Sequence, residues 1–182
     1  MRLDHEYMRH VIRSGDPESL LNDLMSAYGD EVWRYARVLA GRDDAADEIA
    51  QDVFWKAYLH LASFRGESSV KTWLLAITRR TALNYRRSAF VRKVTLAGLL
   101  GPKGAHRSAE ETVMERQAER ELWDIVLALP ARYREAIVLE AHYGLSYREM
   151  AELLGVSEGT VKSRLHRARS KVERARKELD RE

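Results

Sequence analysis

Residues 144–177 read GLSYREMAELLGVSEGTVKSRLHRARSKVERARK, a pattern that predicts two helices with a tight break between them. Ser146 stands where an N-cap is needed. Glu149, three residues on, completes an S-x-x-E capping box, in which each residue's side chain satisfies the other's free backbone N–H. Met150, Leu153 and Leu154 then share one face. Gly155 ends that helix, because a residue without Cβ takes positive φ at little cost. Ser157 caps the second helix, whose Val161, Leu165, Ala168 and Val172 recur at spacings of four, three and four as one apolar stripe. Away from that stripe the helix is basic: Lys162, Arg164, Arg167, Arg169, Lys171, Arg174, Arg176 and Lys177 stand against Glu158 and Glu173.

A short helix, a glycine-containing turn and a longer basic helix make the helix-turn-helix plan, in which the second helix enters the major groove and its first turns reach base edges. On the face opposite the stripe those turns offer Lys162, Ser163, His166 and Arg167, and Gly159 allows close backbone approach. A Lys or Arg that reads guanine O6 and N7 contributes roughly 1–3 kcal/mol of discrimination. A basic helix also serves as the solvated face of an ordinary bundle, but here cap, turn glycine, stripe and basic face agree on DNA. They leave open which DNA.

The totals set the frame. The chain has 182 residues, room for one or two domains, and a formal charge of only +3, so its charge matters by where it is segregated. It has no cysteine, which excludes a disulfide frame and a thiolate metal site and fits a reducing cytoplasm. The first ten residues, MRLDHEYMRH, lack the apolar core of a signal peptide, and no run approaches the roughly 20 apolar residues that cross a membrane. Three prolines and short apolar repeats at helical spacing predict an all-α protein.

Residues 1–15 are polar and uninformative. Asp16-Pro17-Glu18 is a helix start, with an N-cap, a proline at the first position and an acid in the first turn. Leu20, Leu21, Leu24, Met25 and Tyr28 follow at core spacing. After Gly29 a second helix carries Val32, Trp33, Tyr35, Ala36 and Leu39 to an end near Gly41. Asp43 or Asp44 caps the next helix, DDAADEIAQDVFWKAYLHL, with Ile49, Val53, Phe54, Ala57 and Leu61 as its buried stripe. Its other side is acidic, with Asp44, Asp47, Glu48, Gln51 and Asp52 beside Trp55 and Tyr58. An acid-rich first turn complements the helix dipole. That accounts for Asp43 to Glu48 but less readily for Asp52 or an exposed aromatic, so a protein-docking face stands as the alternative.

Phe64-Arg65-Gly66-Glu67-Ser68-Ser69 reads as a loop with a glycine pivot and a serine cap, and the helix after it buries Val70, Trp73, Leu74 and Ile77. From Ser68 to Ala109, forty-two residues, there is no carboxylate, while nine positions are Lys or Arg, a second electrostatic footprint for phosphates. Residues 90–112, with Gly98, Gly101, Pro102 and Gly104, read as a linker. A helix from Glu115 carries Leu122, Trp123, Val126 and Leu129. Pro130 ends it and starts the next, which buries Tyr133, Ala136, Ile137 and Leu139 to back the helix-turn-helix.

Three segments in this order, DDAADEIAQDVFWKAY, FRGESSVKTWLLAITRRTALNYRR and LPARYREAIVLEAHYGLSYREMAELLGVSEGTVKSRLHRAR, resemble the extracytoplasmic-function (group IV) sigma factors of bacterial RNA polymerase. The resemblance runs from about Leu20 to Val172 and implies sigma region 2 over residues 17–89 and region 4 over 113–182, after an N-terminal extension at 1–16. It implies that Asp44, Asp47, Glu48, Gln51, Asp52, Phe54 and Trp55 dock on core polymerase. It implies that Phe64, Arg65, Gly66, Ser68, Lys71, Arg79, Arg80, Asn84 and Arg86 engage the melted non-template strand of the −10 element, where extruding a base costs a few kcal/mol. The −35 element falls to Gly159, Thr160, Lys162, Ser163, Arg164, His166, Arg167 and Arg169, with Arg164 and Arg169 on phosphates. It further implies an anti-sigma factor as regulator, a cytoplasmic location with membrane tethering only through that partner, and no cofactor. The position of Lys162 is often Arg in this motif, and Lys lacks the rigid fork of a guanidinium.

Two rival readings are defined. A two-headed repressor or activator would share the basic helix without needing the acidic docking face. A nucleic-acid enzyme would need a site, yet the six histidines are scattered, and Asp43, Asp44, Asp47 and Glu48 lack a recognisable two-metal frame.

Overall fold

The computed structural model describes residues 17–61, 64–95 and 113–179, and the side chains of 19–61, 64–88 and 121–179 within them. The segments 1–16 and 96–112, and with them the Asp16 cap and most of the linker, lie outside the described residues. Seven α-helices are present there: α1 Pro17–Ala40, α2 Asp43–Leu59, α3 Val70–Thr95, α4 Val113–Ala128, α5 Ala131–Ala141, α6 Tyr147–Leu154 and α7 Glu158–Leu179. They divide into two compact units, α1 to α3 and α4 to α7.

In the first unit each helix packs on the other two. Their common core is Leu20, Leu24, Val32, Tyr35, Ala36, Ile49, Val53, Leu74 and Leu75, each at most 1% exposed. Three local expectations are corrected. Gly29 does not break the first segment: α1 is one helix of 24 residues, because packing on two partners outweighs the roughly 1 kcal/mol that a mid-helix glycine costs. The chain turns instead at Gly41, at φ +82°. Neither Asp43 nor Asp44 caps α2; Arg42 occupies the N-cap without a side-chain cap bond, and both acids sit in the first turn. Met25, expected in the core, is 48% exposed, since α1 turns a narrower stripe inward than its apolar content suggests.

The start of α3 follows the sequence. Ser69 is its cap, its Oγ accepting from the Thr72 N–H at 3.0 Å, while the Phe64 ring packs on Trp73 with centroids 5.0 Å apart. The inward face differs from expectation: Val70, Leu74, Leu75, Thr78, Thr81 and Ala82 are buried, whereas Trp73 and Ile77 lie half-exposed. Thr78 is accommodated because its hydroxyl donates to the Leu74 carbonyl at 2.8 Å. The helix also continues to Thr95, into the stretch read as linker.

In the second unit α7 packs on α4, α5 and α6. The capping box of α6 forms as its sequence dictates: Ser146 Oγ accepts from the Glu149 N–H at 3.3 Å, and the Ser146 N–H donates to Glu149 Oε2 at 2.8 Å. Gly155 closes α6 at φ +67°, and Ser157 Oγ accepts from the Thr160 N–H at 3.2 Å to open α7. Met150, Leu154, Val161, Leu165 and Ala168 are buried at 5% exposure or less. Leu122 is not in the core, being 47% exposed, and Ile137 packs partly buried beside Leu129, Tyr133 and Ala168. Replacing Ser146 by Ala removes the cap acceptor and is expected to cost about 1 kcal/mol. Urea unfolding followed by far-UV circular dichroism checks this, and an unchanged midpoint would show that water replaces the box.

Candidate functional site

The surface of α7 is set by what it buries. Val161, Leu165 and Ala168 face inward at 1% exposure or less, which drives Lys162, Ser163, His166 and Arg167 outward on the opposite side. Gly159 lies beside this face, and a Cβ there would meet only Ser157 Oγ at 3.8 Å, so packing within the chain does not demand glycine at this position. The Thr160 hydroxyl is taken up by the cap, 3.0 Å from Ser157 Oγ, and Ser163 Oγ donates to the Thr160 carbonyl at 2.9 Å. Arg164 is half-buried on the flank.

Three side chains from the preceding helices hold the basic residues, and helical spacing marks none of them as partners. On one flank Arg167 Nη1 donates to the Tyr133 hydroxyl at 3.5 Å, and the Arg132 guanidinium lies 4.8 Å from the Tyr133 ring centroid. Tyr133 is buried. Its hydrogen bond from Arg167 draws the phenol below its ordinary pKa and pushes the Arg167 guanidinium up. On the other flank Arg169 Nη2 lies 2.6 Å from both carboxylate oxygens of Glu140, and Lys162 Nζ sits 6.0 Å above the Tyr147 ring. The Glu140 carboxylate, and after it the Tyr147 hydroxyl, raise the Arg169 guanidinium further. Arg169, expected on phosphates, is therefore engaged within its own unit. These contacts join positions 29 and 34 residues apart, for which helical spacing carries no signal.

In the first unit the acidic side of α2 is exposed at Asp47, Glu48, Gln51, Asp52 and Trp55. Several of its carboxylates have partners: Asp43 with Arg37, Asp44 with Arg42 at 3.1 Å, Asp47 with Trp33 Nε1 at 2.8 Å and Asp52 with Lys56 at 3.4 Å. Lys56 also donates to Thr81 of α3 at 3.2 Å, tying the acidic helix to the basic one. Trp55 is 58% exposed and stacks on Tyr58 with centroids 5.8 Å apart, and Leu59 beside them is also 58% exposed. The result is an apolar ridge along an acidic face. Phe54 does not belong to it. It is 5% exposed and fills the core, because its position falls on the same helical face as Ile49, Val53 and Ala57.

Elsewhere in this unit Arg65, Gly66 and Ser68 are exposed in the loop, as are Arg80, Asn84, Arg86 and Arg87 along α3, with Phe64, Lys71 and Arg79 half-buried. Arg42 reaches α3 by donating to the Tyr85 hydroxyl at 3.2 Å, and that bond is the main reason its guanidinium is raised. Among the described residues, no group of three or more His, Asp or Glu converges as a metal site, and no helix is long and apolar enough to cross a membrane.

Comparison with known proteins gives the family of the chain. Residues 24–89 match the model of sigma-70 region 2, and residues 119–172 match that of sigma-70 region 4. The chain belongs to the extracytoplasmic-function (ECF) sigma factors of RNA polymerase. It is 34% identical to the ECF RNA polymerase sigma-E factor of Haemophilus influenzae, over 89% of either chain. It is 33% identical to the RNA polymerase sigma factor YlaC of Bacillus subtilis, over 85% of this chain and 90% of the other. Among solved structures it resembles the sigma factor RpoE of Bartonella quintana, in complex with the anti-sigma factor NepR. That likeness has a TM-score of 0.72 and 27% identity, over 86% of this chain and 96% of that one. The fold of CnrH, in complex with the cytosolic domain of CnrY, is also similar, with a TM-score of 0.57 and 24% identity over 86% of each chain.

Proposed function

We propose that this protein binds core RNA polymerase through the acidic, aromatic side of α2 and directs it to promoters, reading the −35 element with α7 and the −10 non-template strand with the Phe64–Ser69 loop and α3. One observation carries the reading: a single chain presents an exposed acidic, aromatic ridge and the exposed basic helix of a helix-turn-helix on two separate units. A repressor has use only for the second. Within it, Lys162, Ser163, His166 and Arg167 read base edges, and Arg164 meets phosphate. Lys71, Arg79, Arg80 and Arg86 offset the extrusion of a base through backbone contacts, with Asn84 adding polar ones. The protein acts in the cytoplasm as an initiation factor rather than as an enzyme.

Regulation by an anti-sigma factor belongs to the same proposal, supported by the likeness to a sigma factor held with NepR. Pull-downs from native cells that return polymerase and nothing else would count against it.

The central test is run-off transcription with purified bacterial core polymerase on a promoter library, comparing the wild type with a variant carrying both Gln51→Ala and Asp52→Ala. Both residues are exposed, so their loss is expected to abolish specific transcripts and leave the fold intact. Promoter binding without stimulated transcription, with a competent core enzyme, would instead establish the repressor reading.

A further inference from the structure

We propose that Glu140 is a specificity-determining residue that acts through Arg169, neutralising one cation of the recognition helix so that non-specific phosphate binding does not compete with base reading. The inference rests on the reading of α7 as the −35 helix. The two flanks of that helix are not treated alike. Arg167 meets a neutral phenol at 3.5 Å and keeps its full charge, whereas Arg169 has its Nη2 2.6 Å from each of the two oxygens of a carboxylate. Glu140 is the more buried partner, its side chain 23% exposed against 54% for Arg169, so α5 fixes the carboxylate and the carboxylate fixes the arginine. Tyr147 of α6 helps raise the same guanidinium and lies beneath Lys162, so α5, α6 and α7 all contribute to this flank.

The consequence follows from how cations bind duplexes. Each phosphate neutralised releases counterions and adds about 0.9 to the slope of log K against log salt, whatever the sequence. A cation already balanced by a carboxylate contributes little to that term. The neutral pair attracts no phosphate on its flank and so leaves the approach to the Ser163, His166 and Arg167 face. Glu140 thereby lowers non-specific affinity more than specific affinity and raises their ratio, the quantity that matters among many competing sites.

Fluorescence anisotropy of the full-length chain on a random-sequence duplex, titrated at several salt concentrations, tests this with Glu140→Gln, Arg169→Ala and the double variant. Glu140→Gln is expected to steepen the salt slope by about one and to change the variant-to-wild-type affinity ratio about threefold between roughly 50 and 200 mM salt. Arg169→Ala alone is expected to change little, and in its background Glu140→Gln should have no effect. An unchanged slope, or an equal gain with and without Arg169, would overturn the proposal, the latter by showing only general relief of negative charge. In both cases wild-type binding that still weakens steeply with salt would leave the −35 reading standing. A wild-type chain without salt-dependent binding would remove both.

Discussion

Leu165→Ala is expected to destabilise the second unit by about 3 kcal/mol, a large share of the stability that so small a unit can have. Leu165 is 1% exposed at the centre of the α7 stripe, between Val161 and Ala168, which are both fully buried. The remaining methyl cannot fill the space, and α7 cannot slide inward because it is packed on α4, α5 and α6 at once. In a unit of this size each kcal/mol shifts the melting temperature by roughly 4–8 °C, so a fall of well over ten degrees is expected. The first unit has its own core, and its transition should stay in place. Differential scanning calorimetry of the intact chain is the appropriate measurement. A single transition moving as a whole would mean that the two units unfold together. A shift of only a few degrees would mean that the site collapses around the cavity. Loss of the proposed −35 binding should accompany the unfolding, since the exposed basic face of α7 exists only while the stripe is buried.

Trp55→Ala is expected to act in the opposite way, strongly on association and weakly on stability. An exposed tryptophan at the middle of an interface typically contributes about 2 kcal/mol or more to binding, which is about 30-fold in affinity. Trp55 is 58% exposed, stacks on Tyr58 and lies next to an equally exposed Leu59, which makes it the largest exposed apolar side chain of the proposed docking ridge. Truncation leaves no cavity in the unit, and its stability should fall by no more than the loss of the Tyr58 stack, about 1 kcal/mol. Binding of core polymerase, measured by competition with a labelled wild type, is the readout. Unchanged affinity would place docking on the carboxylates and Gln51 alone. A large loss of stability would mean that the indole supports the fold. Phe54→Ala makes the contrast, because that ring is buried and its truncation should disrupt α2 before any docking is tested.

Much of the architecture was legible in the chain itself. The capping box at Ser146 and Glu149, the left-handed Gly155, the Ser157 cap and the α7 stripe all depend on residues within a turn or two of one another, so local spacing was enough to place them. The same holds for the Ser69 cap and the exposed acids of α2. The family followed from three such segments in one order.

What the chain alone did not determine lies between helices. Helical spacing marked Phe54 as core while resemblance made it a docking residue, and only the packing of α2 on α1 and α3 decided for the core. Gly29 looked like a break until the helix through it was held by two neighbours. The order of arginines along the chain also says nothing of their charge balance. Whether Arg169 is offered to DNA or retained by Glu140, and whether Arg167 rests on Tyr133, depends on side chains 29 and 34 positions away in sequence. Local propensity acts over a few residues, whereas ion pairing acts over a few ångströms, and only the tertiary fold converts one into the other.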